Sequence, residues 1–279
     1  MEQNWKKVKG RVTTRLVERA GVPFLSFPLL EETGIVTQGF STRLGGVSEG
    51  DCSSMNVSFT RGDREEAVRE NYRRVCALMG AGIDGCAVTK QVHGSAVRIV
   101  TEADRHVCMS TVPYEADGLV TNVRGLPIMC FVADCVPALL CDGENSVIAA
   151  VHCGWRSSVS DILGETVKKM CSLGARPESI CAAMGASIGR CCFETDDDVP
   201  LAVEQYLGGD TEGLFDRRAD GKTMVDLRAA NARRLLQLGL RAERIDVSRE
   251  CTMCSHEKYW SHRYTRGRRG SQAAVIVLD

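Results

Sequence analysis

The stretch LPIMCFVADCVPALLCDGENSVIAAV, residues 126–151, contains three short apolar runs that polar residues separate. Leu126–Phe131, Ala138–Cys141 and Val147–Val151 each have the length and the composition of a buried strand. Asp142-Gly143 stands between the second run and the third and is typical of a tight turn. This part of the chain therefore predicts three buried strands, the last two joined by a turn.

Outward from this stretch, helical and strand-like patterns alternate. Predicted helices run from a capping residue at Asp63 to about Met79, from Val159 to near Gly174, and over Asp196–Leu207 and Met224–Leu238. Further strands are expected at Ile35–Phe40, in two segments of Cys86–Val100, and at Ile180–Met184, Ile245–Val247 and Ala273–Leu278. No repeat or linker-like stretch divides the chain, so residues 1–279 are expected to form one mixed α/β domain.

The composition argues against nucleic acid or a membrane as the main partner. Charged residues make up 25% of the 279-residue chain, the formal net charge is −1, and no long basic run occurs. The N-terminus is polar and lacks the apolar core of a signal peptide, and no apolar run has the length of a membrane-spanning helix. We therefore expect a soluble, cytoplasmic protein.

The chain contains 14 cysteines, and without an export signal a disulfide framework is not expected. Several lie among apolar neighbours and are interpreted as small buried hydrophobic residues: Cys76, Cys86, Cys130, Cys141, Cys171 and Cys181. Cys251-x-x-Cys254 has the spacing of a zinc knuckle or a redox motif, but no second Cys-x-x-Cys completes a set of four ligands. That pair and Cys191-Cys192 are therefore both predicted to have only a structural role.

Three other residues, His93, Cys135 and His152, each stand where a strand-like run meets a turn. They lie too far apart in sequence for a zinc finger, but separate strands of one sheet can bring such residues together. Two imidazoles and a thiolate make a metal site with one position left open, which is the pattern of catalytic rather than structural zinc. Spacing alone leaves the alternative open that each is an ordinary core or surface residue.

Five motifs occur in a fixed order along the chain: Ser41-Thr42-Arg43-x-Gly45-Gly46-Val47-Ser48, Gln91-Val92-His93-Gly94, Ala116-Asp117-Gly118-Leu119-Val120-Thr121, Ala133-Asp134-Cys135-x-Pro137 and Val151-His152-x-Gly154-Trp155-Arg156. This ordered set resembles the laccase-domain proteins, also called the multicopper polyphenol oxidase or YfiH-like family. The resemblance extends to Cys251-Thr252 and Ser261-His262-Arg263 and so covers nearly the whole chain.

The resemblance implies an α/β (α+β) fold, a layered sandwich of mixed β-sheets flanked by helices. It also implies Zn²⁺ held by His93, Cys135 and His152. The implied activity is phosphorolysis of adenosine, inosine, guanosine or methylthioadenosine to the free base and a ribose 1-phosphate, with adenosine deamination as a companion activity. Purine nucleosides and phosphate are therefore the expected small-molecule partners. The older family name implies copper at the same site and phenol oxidation.

Phosphorolysis needs fixed arginine side chains or turn amides for the phosphate. Arg43 and Arg263 are the first candidates and Arg156 the third, with Arg43 also a candidate catalytic residue. Gln91 is a candidate for substrate binding. Deamination needs a carboxylate to transfer protons. Asp134 or Asp117 would have to serve, and Asp134, next to Cys135, is equally a candidate for orienting a ligand histidine.

The chain departs from the family pattern at Ser157, at Ala186, where the family has proline, and at Tyr264, where it has arginine. None of these departures removes a predicted metal ligand. They bear instead on the substrate preference and on the role of the arginine that Tyr264 replaces.

Two enzymatic alternatives remain beside the zinc phosphorylase. A blue copper site could use His93, Cys135 and His152 with an axial Met129 or Met253. A multicopper oxidase also needs a trinuclear, histidine-rich cluster, for which only three histidines remain: His106, His256 and His262. The second alternative is a metal-free hydrolase or deamidase with Cys135 as nucleophile and His152 or His93 as base. A non-catalytic metal-binding or partner-binding protein is the third possibility, and turnover distinguishes it from the enzymes.

Overall fold

The computed structural model describes residues 14–83, 85–105 and 114–279. The strands in that part of the chain are β1 (Arg15–Arg19), β2 (Val22–Ser26), β3 (Val36–Ser41), β4 (Val97–Ile99), β5 (Gly118–Thr121), β6 (Ile128–Val132), β7 (Val136–Asp142), β8 (Val147–Cys153), β9 (Ile180–Met184), β10 (Glu194–Thr195), β11 (Phe215–Arg217), β12 (Thr223–Val225), β13 (Ile245–Val247) and β14 (Gln272–Leu278). The α-helices are α1 (Pro28–Glu31), α2 (Glu65–Leu78), α3 (Trp155–Val159), α4 (Ile162–Ser172), α5 (Asp198–Tyr206), α6 (Leu227–Gln237) and α7 (His262–Thr265). Short 3₁₀ turns lie at Gly50–Cys52, Glu102–Asp104 and Ala242–Arg244.

The strands form two large sheets and one small sheet. The five-stranded sheet has the order β1-β2-β3-β14-β6 and is antiparallel throughout. The six-stranded sheet has the order β13-β9-β7-β8-β5-β4 and is mixed, because β13 pairs with β9 and β4 with β5 in parallel. A three-stranded antiparallel sheet has the order β10-β12-β11.

Apolar side chains define the layers of the fold. One cluster fills the space between the two large sheets and includes Phe40, Ile128 and Leu139. A second covers the other face of the six-stranded sheet, where α4, α5 and α6 pack. A third covers the other face of the five-stranded sheet, where Tyr72 and Val75 of α2 pack. The predicted layered α/β sandwich is confirmed, with the refinement that only one of its sheets is mixed.

The stretch 126–151 contributes to both large sheets. β7 and β8 pair antiparallel from Val136↔Cys153 to Asp142↔Val147, so the predicted pair of strands and the turn between them are confirmed. The Asp142 carboxylate closes the turn by accepting hydrogen bonds from the amides of Glu144 and Asn145. β6, in contrast, lies in the five-stranded sheet. Residues 133–135 therefore connect the two sheets, which places Cys135 at their junction.

Two predicted helix starts differ from the structure. The Asp63 carboxylate accepts hydrogen bonds from Asn56 Nδ2 and the Arg64 amide instead of capping α2, so that capping prediction is wrong. The helix expected from Val159 to near Gly174 is divided into α3 and α4. Asp161 causes the break, because its backbone has φ 62° and its side chain caps α4 at the Gly164 amide.

Two further elements are shorter than expected. The helix predicted over Met224–Leu238 begins only at Leu227, because β12 occupies Thr223–Val225 and Asp226 caps α6. Of the two strand segments predicted in Cys86–Val100, only Val97–Ile99 forms a strand, and the residues around His93 form a loop. His106 lies outside the described residues.

No helix in the described ranges is long and apolar enough to cross a membrane. The one-domain organisation and the cytoplasmic location stay predictions.

Asn71, fully buried in α2, fastens the loop that follows β3. Its side chain accepts a hydrogen bond from the Val47 amide and donates to Ser48 Oγ, Ser54 O and Asn56 O, all at 2.8–2.9 Å. Asn71→Ala removes these four hydrogen bonds at a buried position, so we expect the free energy of unfolding to fall by about 2–4 kcal/mol in urea titrations.

The matched control for this variant is Glu66→Ala on the exposed face of the same helix, which should change stability by less than about 0.5 kcal/mol. Equal stability of the two variants would show that the Asn71 hydrogen bonds add nothing to the fold.

Candidate metal centre and cavity

The structure brings His93, Cys135 and His152 together. Their ligating atoms all lie within 4.8 Å of one another. Cys135 Sγ is 3.9 Å from His93 Nε2, and the two imidazole rings are 4.6 Å apart between centroids and nearly perpendicular. His152 is buried near the end of β8, Cys135 is half-buried at the junction of the sheets, and His93 is exposed on its loop. Three residues that are distant in sequence therefore form one cluster.

Asp117, immediately before β5, organises this cluster from behind. Its buried carboxylate accepts hydrogen bonds from the amides of Val92, His93 and Gly94 at 3.1, 3.0 and 2.8 Å. It also lies 2.7 Å from His152 Nδ1, which leaves Nε2 of that ring for a metal. Burial opposes ionisation, but the bonds from His152 and the amides outweigh it and hold the pKa of Asp117 below its usual value. A carboxylate that orients a ligand histidine is common around protein metal ions.

Charge stabilises the thiolate form of Cys135. Burial opposes charge on both Cys135 and His152, but their mutual attraction outweighs it. The pKa of the Cys135 thiol is lowered to about 6, and that of the His152 imidazole is raised to about 9. The thiolate, which is the form that binds a metal, is therefore available at neutral pH.

The backbone around the cluster has little freedom. His93 and Asp134 both have left-handed backbones, with φ 60° and 82°. Non-glycine residues in that region cost energy and occur often at functional sites. A Cβ atom at Gly154 would lie 3.0 Å from His93 Cδ2 and 3.4 Å from Cys135 Sγ, so a larger residue there would push against two of the three ligands. Two nitrogen donors and one sulfur donor, held this closely, fit a zinc or copper ion with one coordination position open.

The cluster lies in the wall of a cavity of about 760 Å³, a volume typical of small-molecule sites. Part of the lining is apolar: Val57, Val88, Phe131, Val132, Ala133, Trp155, Ile188, Phe193 and Leu227. Another part is polar or cationic: Ser58, Thr60, Arg61, Thr89, Lys90, His262, Arg263, Arg269 and Ser271. Asp134 is the one carboxylate among the described lining residues. The cavity therefore combines an apolar surface with an excess of positive charge.

Asp134 is fixed within this wall. Its buried carboxylate accepts hydrogen bonds from Thr252 Oγ1 at 2.5 Å and from the Arg263 amide at 2.6 Å. Its carbonyl oxygen accepts a hydrogen bond from the Ile188 amide. Asp134 therefore joins three separate parts of the chain beside Cys135.

Only two of the four residues predicted to bind substrate or phosphate line the cavity. Arg263 lines it and donates to the Glu194 carbonyl, with Nη1 and Nη2 both at 3.1 Å. Gln91 lines it too, but its amide group exchanges two hydrogen bonds of 2.7 Å with the backbone of Phe131. Gln91 therefore attaches the His93 loop to β6.

Arg43 and Arg156 are not among the lining residues. The Arg43 guanidinium donates to the carbonyls of Ser53 and His256 and lies 4.2 Å over the Trp260 ring, so its donors secure neighbouring loops. Arg156 is exposed and lies 4.2 Å over the ring of Trp155. The structure thus gives Arg43 a position away from the cavity, in contrast to the catalytic and phosphate-binding roles predicted for it.

Arg269 also lines the cavity, and the sequence did not single it out. It is only 8% exposed, and one nitrogen, Nη1, donates to Gly270 O and Ser271 Oγ. Its Nε has no hydrogen-bond partner in the described part of the chain, and no described carboxylate forms an ion pair with it. Burial and the charge of Arg61 lower its pKa to about 10, so it remains a cation at neutral pH. A buried cation that has an unpaired Nε and no ion pair with a described carboxylate is suited to binding an anion.

Asp117→Asn is expected to weaken metal binding about 10–100-fold. The neutral asparagine side chain cannot both accept the hydrogen bonds from the backbone amides of the His93 loop and hold His152 as a charged partner. Competition with a chromophoric chelator gives the dissociation constant directly. Asp142→Asn is the matched control, since Asp142 is an equally buried carboxylate at the opposite end of the β7–β8 pair. If both variants keep the affinity of the unmodified chain, Asp117 has no part in positioning the ligands.

Comparisons with known proteins find relatives that are named for nucleoside chemistry. A purine nucleoside phosphorylase of Deinococcus radiodurans is 37% identical over 92% of this chain and 94% of its own length. A purine nucleoside phosphorylase of Corynebacterium glutamicum is 36% identical over 87% of this chain and 94% of its own. A protein named adenosine deaminase, from an unknown prokaryotic organism, is 32% identical over 81% of this chain and 88% of its own.

Solved structures show the same fold. The YfiH protein of Bacillus licheniformis superposes with a TM-score of 0.89 at 28% identity, over 95% of this chain and 99% of that one. YlmD of Geobacillus stearothermophilus superposes with a TM-score of 0.88, also at 28% identity, over 94% and 98%. The model of the family described as multi-copper polyphenol oxidoreductase laccase matches residues 37–279. The resemblance predicted from the five ordered motifs is confirmed, and the chain belongs to this laccase-like family.

Proposed function

We propose that this chain is a zinc-dependent purine nucleoside phosphorylase, which converts a purine nucleoside and phosphate into the free base and ribose 1-phosphate. The relatives named above support nucleoside chemistry. The observation that carries the proposal is the presence, in one cavity, of three metal-binding donors and the buried guanidinium of Arg269, whose Nε has no hydrogen-bond partner among the described residues. Adenosine, inosine, guanosine and methylthioadenosine are the proposed substrates.

Phosphate binding is attributed to the cationic part of the cavity. Arg61 is close enough to Arg269 to lower its pKa, so the two cations repel each other. A phosphate dianion between them would relieve that repulsion and accept charge-assisted hydrogen bonds from both. The hydroxyls of Ser58, Thr60 and Ser271 line the same cavity and supply further donors.

The apolar part of the lining suits the purine. Phe131, Trp155 and Phe193 offer aromatic surfaces against which a flat base can pack, and Ile188 and Leu227 extend the same surface. A purine placed there would have its ribose near the metal cluster and the cationic groups, since all of these line one cavity.

In phosphorolysis the bond between C1′ of the ribose and N9 of the purine breaks, a bond from a phosphate oxygen to C1′ forms, and the base leaves with the electron pair and takes up a proton. Arg61 and Arg269 would hold the phosphate for this attack. Zinc bound by His93, Cys135 and His152 would supply Lewis-acid stabilisation of negative charge developing beside it. Asp117 would keep His152 oriented throughout.

Adenosine deamination is proposed as a companion activity at the same site. Water adds to C6 of the purine, and the amino group takes up a proton and leaves as ammonia, so the reaction needs a group that transfers protons. Asp134 is the candidate, because it lines the cavity beside Cys135, whereas Asp117 does not line it. Asp134→Asn should therefore reduce deamination more than phosphorolysis.

A copper polyphenol oxidase has weaker support, although the family description names that activity. Among the described residues, the second group able to hold a metal consists of four cysteines and contains no histidine. His256 packs on Tyr264 with centroids 3.6 Å apart, and His262 lines the cavity separately. A trinuclear copper cluster needs many histidines close together, which this arrangement does not provide.

A metal-free Cys–His hydrolase is the second candidate, because one observation favours it. Asp117, His152 and Cys135 form a chain of interacting groups in which the pKa of the thiol is lowered to about 6, largely by His152 against the effect of burial. A hydrolase of this kind needs a cysteine nucleophile, a base beside it and a carboxylate that orients the base.

The decisive experiment measures the metal content of the purified chain and then the products formed from inosine or adenosine with and without phosphate. The proposal predicts one zinc at this site and base release that requires phosphate, with ribose 1-phosphate in equal amount. Base release independent of phosphate would contradict phosphorolysis. Full turnover after complete metal removal would favour the hydrolase.

A further inference from the structure

Two cysteine pairs, predicted from sequence to have no role beyond structure, meet in space. Cys191 and Cys192 follow β9, and Cys251 and Cys254 follow β13. The four Sγ atoms lie within 4.8 Å of one another, and Cys254 Sγ is 3.6 Å from that of Cys191 and 3.5 Å from that of Cys192. We propose that these residues form a second metal site, a closed four-thiolate site that takes Zn²⁺. This proposal does not depend on the phosphorylase activity.

The sulfur positions suit a metal better than a disulfide. Four thiolates at about 2.3 Å from a tetrahedral zinc lie about 3.8 Å from one another, close to the two distances observed. A disulfide needs a separation of about 2.05 Å. The Gly189 amide donates to Cys251 Sγ at 3.2 Å, a bond that stabilises a thiolate. Four protein ligands leave no position open, which is the arrangement of structural zinc.

Burial also separates this cluster from ordinary core cysteines. Cys191 and Cys254 are exposed and Cys192 is half-buried, so hydrophobic burial does not explain why three of the thiols converge. Cys76 and Cys86 have sulfur atoms 3.3 Å apart, but both are fully buried within an apolar cluster, as expected of small hydrophobic residues.

The surroundings accept the site without a clash. A Cβ atom at Gly189 would lie 3.2 Å from Cys191 Sγ and 2.8 Å from Arg228 Nη2, so glycine allows the loop to approach the sulfur atoms. Four thiolates and Zn²⁺ carry a net charge of −2. The Arg228 guanidinium, held by the carbonyls of Ser248 and Glu250, lies beside Gly189 and offsets part of that charge.

The site would fasten two loops that form the cavity wall. The loop of Cys191 and Cys192 is flanked by Ile188 and Phe193, which line the cavity. Thr252, next to Cys251, donates from its hydroxyl to Asp134 and from its amide to the Ser187 carbonyl. Loss of the metal would therefore loosen the wall at Asp134 and Phe193 without removing a group that contacts substrate.

The test counts metal ions by mass spectrometry in the full chain purified under reducing conditions with zinc supplied. We expect two zinc ions per chain, and one in both Cys191→Ser/Cys254→Ser and Cys135→Ala. Cys171→Ser, an exposed cysteine on α4, is the matched control and should keep two. With cobalt in place of zinc, the thiolate-to-cobalt absorption should stay intense in Cys135→Ala and should fall, in the double variant, to the weaker band of the single Cys135 thiolate.

A second measurement covers the case in which the double variant does not fold. Alkylation of the unmodified native chain should spare Cys191, Cys192 and Cys254 when zinc is bound and modify them after chelation. One zinc per chain that Cys135→Ala removes completely would overturn the proposal. So would equal alkylation of these cysteines with and without zinc, or a disulfide at Cys254 in the reduced preparation.

Discussion

Cys135→Ala is expected to lose its active-site zinc and to reduce nucleoside turnover by at least about 100-fold. The change removes the thiolate of the cluster and leaves two imidazoles, one on an exposed loop, to hold the ion. The thiolate supplies the negative charge that faces the metal, because the carboxylate of Asp117 is engaged behind His152. Metal ligands contribute steeply to affinity, and the proposed reaction depends on the bound ion. Zinc content and turnover at saturating phosphate are to be measured on the same samples.

Cys153→Ala provides the control for this prediction. Cys153 adjoins His152 but points into the apolar core, so its replacement costs some stability and leaves the zinc and the turnover in place. Turnover near the unmodified level in Cys135→Ala would exclude the proposed metal centre. Turnover that survives complete metal removal in the unmodified chain but is lost in Cys135→Ala would instead support a metal-free cysteine nucleophile.

The sequence predicted the positions of those site residues that stand at the end of a single strand. His152 follows an unbroken apolar run, and Cys135 stands between two such runs, so their positions in the sheets followed from local pattern. The antiparallel pairing of β7 with β8 followed from the Asp142-Gly143 turn in the same way. Local hydrophobic patterning and turn chemistry determine these features, and both can be recognised in a single sequence.

Features that depend on tertiary contacts could not be predicted in this way. Arg43 stands in a glycine-rich turn that suits phosphate, yet the Trp260 ring and the His256 carbonyl, both distant in sequence, engage it together with the Ser53 carbonyl of its own loop. Arg269 follows Arg266 and Arg268 in a basic stretch of the sequence, and nothing in its neighbours indicates that it alone is buried. The two cysteine pairs are 59 residues apart, and only the positions of the loops after β9 and β13 bring them together. Burial and long-range proximity decide each of these cases.

Arg269→Met is expected to reduce kcat/KM for phosphate by about 100-fold or more, since it removes a preorganised donor and its charge from a buried anion site. The same variant should lose little stability when phosphate is absent, because relief of the repulsion from Arg61 offsets the loss of the hydrogen bonds to Gly270 and Ser271. The guanidinium it removes is buried beside Arg61 without a carboxylate partner among the described residues, and an apolar side chain of similar length avoids that repulsion. Methionine is also flexible enough to fill the space that the guanidinium leaves.

Stability therefore supplies a second measurement for this prediction. Phosphate at about 100 times its dissociation constant should stabilise the unmodified chain by about 2.7 kcal/mol, and Arg269→Met should abolish that effect. Arg268→Met is the matched control, because Arg268 is the adjacent arginine and makes only an exposed ion pair with Asp51. It should keep both the phosphate dependence of the rate and the stabilisation by phosphate. A phosphate KM in Arg269→Met that stays near the value of the Arg268 control would show that the buried guanidinium does not bind phosphate.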